Sequence, residues 1–303
     1  MSTETLSPTP GQWLEGARPK TLPAAVAPVA AGAGVALHLD SFALGPVLLA
    51  LVVALALQVG VNYANDYSDG VRGTDDARVG PLRLVGSGLA APQAVKRAAY
   101  ASLGVAAVAG LVLAVLTAWW LVPVGALCIA AAWFYTGGSR PYGYAGLGEV
   151  MVFLFFGLVA VVGTVYVQTE SFGDGMLAPS LLAAVAIGAV ACAILVVNNL
   201  RDVPTDTEAG KTTLAVRLGD SRTRALYALL MLTPAVCTLA LAVVTGPFAL
   251  LGLVHGPLAL QGVRTVAGIG REAATGRALV PVLGVTGRAE LFLGVGLLVG
   301  LAL

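Results

Sequence analysis

The sequence predicts an all-α integral membrane protein with about nine transmembrane helices arranged around a central cavity. Two observations carry that prediction: apolar stretches long enough to cross a bilayer recur along the chain, and the basic residues between them fall on alternate loops. Of the 303 residues, 58% are apolar and 11% charged, with a mean hydropathy of +0.88. A water-soluble globule of that composition has too few polar residues to cover its surface. The net charge of +1 gives no argument for a nucleic-acid partner. Cys128, Cys192 and Cys237 lie in apolar runs without metal or redox spacing and read as packing residues. Met1 to Gly16 is polar and lacks the apolar core of a cleavable signal, so the first retained helix is expected to direct insertion.

The nine stretches run from Leu22 to Leu37, Ala43 to Tyr63, Val95 to Ala118, Leu121 to Tyr135, Gly148 to Val167, Ala178 to Val197, Ala225 to Val244, Phe248 to Thr265 and Val282 to Leu303. The fourth is short enough to merge with a neighbour or to tilt. With the N-terminus inside, one side receives all 17 basic residues, from Arg18 and Lys20 to Arg277 and Arg288. The opposite loops hold only Asp40, Glu170 and Asp174 as charged groups. Cytoplasmic loops collect Lys and Arg, so the N-terminus is expected in the cytoplasm and, with an odd helix count, the C-terminus outside. His38 and His255 fall near the external ends and read as interfacial residues.

Residues 1–303 form a single transmembrane domain with two long polar internal loops, 64–93 and 198–224. Each opens where an outside-to-inside helix ends, four helices apart, which suggests a pseudo-repeat of four-helix units with two similar sites facing one cavity. The first loop, read together with the helix end before it, contains Asn62, Asn65, Asp66, Asp69, Arg72, Asp75, Asp76, Arg78 and Arg83. If the second helix continues through it, Asn62, Asp66 and Asp69 share one face. In the second loop Asn198, Asp202 and Asp206 recur every four residues, although Pro204 predicts a distorted or ending helix there. Carboxylates gathered at the mouth of a membrane cavity repel one another unless cations join them, and hard oxygen donors favour Mg²⁺ or Ca²⁺ over zinc. Asp66, Asp69, Asp202 and Asp206 carry a formal charge of −4. A diphosphate adds about −3 and two Mg²⁺ ions return about +4, leaving Arg72, Arg78, Arg83, Arg140, Arg201, Lys211 and Arg217 to cover the deficit.

These blocks resemble those of the UbiA-type prenyltransferases, and among them the 1,4-dihydroxy-2-naphthoate polyprenyltransferases (MenA) that act in menaquinone biosynthesis. The matches are Arg18-Pro-Lys-Thr21, Ala64-Asn-Asp-Tyr-Ser-Asp-Gly70 with Gly80-Pro-Leu-Arg83, and Val197-Asn-Asn-Leu-Arg-Asp202 through Asp206 to Gly210-Lys-Thr-Thr-Leu-Ala-Val-Arg-Leu-Gly219. One position departs: Gly73 stands where the broad family places a further Asp, and Asp75 looks like its substitute.

The resemblance implies a UbiA-like bundle in the cell membrane with its active site facing the cytoplasm. Two Mg²⁺ ions would be held by Asn65, Asp66 and Asp69 on one side and Asp202 and Asp206 on the other. They would grip the diphosphate of a polyprenyl donor while the naphthoate ring attacks the allylic carbon and loses CO₂. Asn62, Arg72, Arg78, Arg83, Asn198 and Arg201 would bind substrate, Lys20, Arg140 and Lys211 are candidates for the naphthoate carboxylate, and Tyr135 would face the allylic cation. Tyr142, Tyr144, Trp119 and Trp120 read equally well as interfacial anchors.

Two further patterns yield nothing catalytic. Gly210-Lys-Thr-Thr lacks the first glycine of a P-loop, because that position is Thr205. Gly296 and Gly300 form a GxxxG pair that suits close helix packing or a homo-oligomer contact. A secondary transporter is the rival class, and it predicts polar groups near the bilayer midplane, where the nine stretches carry almost none.

Overall fold

The computed structural model describes residues 8–73, 82–173, 175–270 and 272–303, and among them every regular element is helical. Short α1 (Pro10–Gly16) is closed by a capping box of Thr9 and Gln12. It leads to α2 (Pro23–His38), α3 (Leu44–Arg72), α4 (Pro92–Leu116) and α5 (Leu121–Phe134). Next come α6 (Gly148–Thr169), wound as a π-helix over Phe153–Val162, then α7 (Leu177–Glu208), the single turn α8 (Leu214–Leu218) and α9 (Asp220–Thr245). A 3₁₀ stretch, Pro247–His255, runs into α10 (Gly256–Ala267), and a further 3₁₀ turn, Gly276–Leu279, opens α11 (Val280–Ala302).

Each apolar stretch of the sequence falls on helical residues, and among the described residues 6 helices are long and apolar enough to cross a membrane. The bent pair Pro10–Thr21 and Pro23–His38, angled at 48°, makes 7 if taken as one span. The shortfall has local causes. Helix α5 has 14 residues, and the eighth stretch divides at Gly256 between 3₁₀ and α winding.

Helix α7 is the hub: 72% of its most apolar stretch is buried inside the bundle, against 11% for α3. It packs on α9, α11 and the π-wound part of α6, while α11 lies along α2 and the Pro247–His255 stretch. Small residues permit these approaches. A side chain at Gly300 would strike the Phe248 carbonyl, and one at Gly296 the Leu251 carbonyl, so the GxxxG pair is consumed inside the molecule. His255 is buried here with Nδ1 against the Gly252 carbonyl at 2.7 Å, not at an interface.

Both acidic sets ride on helix ends. Helix α3 continues through Asp66 and Asp69 to Arg72, stopped by Gly73 at φ 71°. Helix α7 runs through Pro204 to Glu208, past the point where proline was expected to break it. In its last turns Thr205 donates to the Asp202 carbonyl at 3.0 Å and Thr207 to the Val203 carbonyl at 2.7 Å. Side-chain hydroxyls thus tie down carbonyls around the proline.

Candidate active site

The first acidic set is fixed by the chain that returns after the loop. Asp66 Oδ2 accepts the Leu84 N–H at 2.7 Å and Oδ1 accepts the Val85 N–H at 3.1 Å. Leu84 then fills the apolar niche beside Tyr63 and Gly16. This return carries Arg83 to 3.7 Å from Asp69 Oδ2. Asp66 and Asp69 are both buried, and Arg18 and Arg83 lie close enough to act electrostatically on Asp66.

In the second set Arg201 grips Asp202 with two bonds, Nε to Oδ1 at 2.6 Å and Nη2 to Oδ2 at 2.7 Å. The same Nη2 donates to Asn198 Oδ1 at 2.9 Å. Beyond Glu208 the chain turns at Gly210, φ 69°, and the Lys211 N–H returns to the Asp206 carbonyl at 2.8 Å. That turn aims the Lys211 ammonium back over the helix end. It lies 3.9 Å from Asp206 Oδ1 and 4.0 Å from Asp69 Oδ1, so one buried cation joins the two acidic sets.

A third segment completes the site. The 3₁₀ turn Tyr142–Ala145 is pinned from below by Gly143 N–H to the Tyr135 carbonyl at 3.0 Å. It is pinned from the side by Thr212 N–H to the Tyr144 carbonyl and Arg217 Nη2 to the Ala145 carbonyl, both at 2.9 Å. Tyr144 therefore donates its hydroxyl to Asp69 Oδ1, with Lys211 Nζ 4.3 Å and Arg72 Cζ 5.5 Å from its ring centre. Arg72 also donates to the carbonyls of Thr136 and Gly138, and Thr136 Oγ1 donates to Asn65 Oδ1 at 2.7 Å. Tyr135 packs edge-on against Tyr142 with ring centres 5.5 Å apart. Burial pushes the Tyr142 phenol up, so it stays protonated and donates to the Ala131 carbonyl at 2.8 Å.

Other residues singled out in the sequence lie apart. Asn62 Nδ2 donates to the Ala17 carbonyl at 2.9 Å and to Thr21 Oγ1 at 3.0 Å, anchoring the N-terminal segment to α3. Lys20 and Arg140 are exposed. Arg78 and Asp75 lie outside the described residues. Tyr144 was missed by sequence reasoning as a site residue. Its only signal is a second tyrosine in the short Pro141-Tyr-Gly-Tyr-Ala-Gly146 link next to Arg140.

Among the described residues no three His, Cys, Asp or Glu side chains gather closely enough to hold a metal by themselves. The donor chemistry nevertheless suits Mg²⁺, which takes one or two carboxylates and draws its other ligands from phosphate oxygens and water. Asp69 and Asp206, closing on one ammonium from two helices, are such a pair.

A family model described as the UbiA prenyltransferase family matches residues 25–280. The chain belongs to the UbiA prenyltransferase family. This UbiA chain is 58% identical over 280 residues to the 1,4-dihydroxy-2-naphthoate octaprenyltransferase of Mycobacterium tuberculosis, covering 92% of the chain and 93% of that protein. Its fold matches the apo structure of a UbiA homolog from Aeropyrum pernix K1 with a TM-score of 0.71 at 16% identity, over 91% of this chain and 97% of that one. It also matches a UbiA homolog from Archaeoglobus fulgidus bound to GPP and Mg²⁺, with a TM-score of 0.65 at 14% identity, over 95% and 99% of the two chains. Family and apolar helices together make it a multi-pass membrane protein of UbiA fold.

Proposed function

We propose that this protein transfers a polyprenyl group from polyprenyl diphosphate to 1,4-dihydroxy-2-naphthoate with loss of CO₂, giving demethylmenaquinone. The observation that carries this reading is the 58% identity, over almost the full length of both proteins, to the Mycobacterium tuberculosis protein of that named activity. The convergence of both acidic sets on Lys211 supports it chemically.

Mg²⁺ held by Asp69 and Asp206, with Asn65, Asp66 and Asp202 beside them, would supply the positive charge that makes diphosphate a good leaving group. The charge sum favours two ions. Lys211 then exchanges its carboxylate partners for phosphate oxygens, and Arg83 follows from the other side. Tyr144 keeps Asp69 oriented throughout. The allylic C–O bond breaks with its electron pair passing to diphosphate, and Tyr135 offers a ring face to the cation. The naphthoate ring attacks at the carboxylate-bearing carbon, and the electrons of the departing CO₂ restore the aromatic ring. Water would quench the cation, so the reacting carbons belong inside the bundle. On this reading nine helices cross the cell membrane, the N-terminus is cytoplasmic and the diphosphate end faces the cytoplasm, because every Lys and Arg lies on that side.

Expression in a bacterium deprived of its own naphthoate prenyltransferase tests the reading. Menaquinone should return to its lipid extract; membrane-inserted protein without menaquinone would count against it.

A further inference from the structure

Glu290 stands within α11, the second most buried of the 6 helices long enough to span by themselves, and is 0% exposed with neither carboxyl oxygen hydrogen-bonded. It lies ten residues from the helix start at Val280, about 15 Å along the axis and roughly half the depth of a hydrocarbon core. Gly287 and Gly294, about one turn to either side on the same face, lie against the Lys20 carbonyl and Ala27, so Glu290 projects toward α2 and the bundle interior.

Glu149, in the first turn of α6, is its counterpart. It is 7% exposed, its Oε1 accepts Asn199 Nδ2 at 2.9 Å, and its Oε2 has no partner. Cys192 connects the two: its thiol donates to the Glu149 carbonyl at 3.1 Å and both carboxyl groups act on it electrostatically. Asn199 precedes Asp202 by less than one turn of α7, so the Glu149–Asn199 contact lies about one turn beneath the second acidic set.

A carboxyl group buried without partners lowers stability, and leucine in its place would fill similar space without that cost. A ligand that brings hydrogen-bond donors reverses the balance. Building on the reading above, we infer that Glu149 and Glu290 form a recognition site for the ring hydroxyl groups of the hydroxyaromatic acceptor. A flat ring suits a bundle core built largely of alanines and valines, and its O–H groups supply hydrogen bonds that the unpartnered carboxyl oxygens lack. Burial at this depth itself disfavours an anionic substituent, which would lose its water without gaining a cation. The carboxylate of the acceptor is thereby turned toward the basic end, which fixes the reacting carbon beneath the diphosphate.

The test uses purified full-length wild type, Glu290→Gln and Glu290→Leu, with two readouts: KM for each substrate, and the shift in melting temperature on adding 1,4-dihydroxy-2-naphthoate without diphosphate. Glu290→Leu should raise the acceptor KM about tenfold or more, leave the donor KM unchanged and abolish the acceptor-induced shift. The isosteric Glu290→Gln, which keeps hydrogen-bonding capacity, should raise the acceptor KM by a smaller factor, and it decides the matter if Leu fails to fold. Variants that retain the wild-type acceptor KM and shift would overturn the inference, leaving Glu290 as a structural cost or a holder of buried water only. Failure of the underlying function shows separately, as wild type that forms no prenylated naphthol.

Discussion

Lys211 is the side chain on which the site turns. Its ammonium lies within 4.0 Å of a carboxylate from each acidic set and 4.3 Å above the Tyr144 ring, buried from solvent. Without it the two acidic sets lose the cation they share, although Arg83 still faces Asp69. Lys211→Met should therefore bind Mg²⁺ at least as well as wild type, since a competing cation is gone. It should lose a charged contact to the diphosphate worth about 1.5–3 kcal/mol, a fall of roughly ten- to a hundredfold in kcat/KM for the donor. Steady-state kinetics at varied Mg²⁺ and varied donor separate the two effects. An unchanged donor kcat/KM would remove Lys211 from the site. The acidic residues themselves were legible in the sequence because helical spacing places them on one face. The role of Tyr144 was not, because a hydrogen bond between residues 69 and 144 is a product of tertiary packing. Glu290 was hidden for the opposite reason: one carboxyl in a long apolar stretch barely changes its hydropathy.

At the scale of elements, the bundle is held by close crossings more than by large side chains. The last helix meets the Pro247–His255 stretch where Gly296 and Gly300 leave no room for a Cβ beside the Leu251 and Phe248 carbonyls. Gly300→Val should therefore destabilise the protein by about 1–3 kcal/mol through overpacking. Thermal unfolding in detergent should show it as a lower melting temperature with unchanged oligomeric state. A changed oligomeric state at unchanged stability would instead place the pair between molecules. The helix positions were readable from apolar length, while length and composition qualify 6 or 7 of the described helices as spans. The 3₁₀ winding before Gly256 and the bend before Pro23 are backbone choices that composition does not encode. The run of α7 beyond Pro204 was similarly obscured, since the threonine hydroxyls that tie down the nearby carbonyls look like ordinary loop polarity in the sequence.

For the whole molecule, apolar helices position two acidic helix ends and one tyrosine-bearing turn at a shared polar mouth, with buried glutamates beneath. That layering suits a substrate with an anionic head and a long hydrocarbon tail, joined to a ring held in the bundle. The most direct test is mass spectrometry of the products formed when purified protein is incubated with 1,4-dihydroxy-2-naphthoate, a polyprenyl diphosphate and Mg²⁺. Wild type should yield a prenylated naphthol that has lost CO₂, and neither chelated wild type nor the Asp69→Asn, Asp206→Asn double variant should yield it. Absence of that product from wild type, or its undiminished formation by the double variant, would contradict the account.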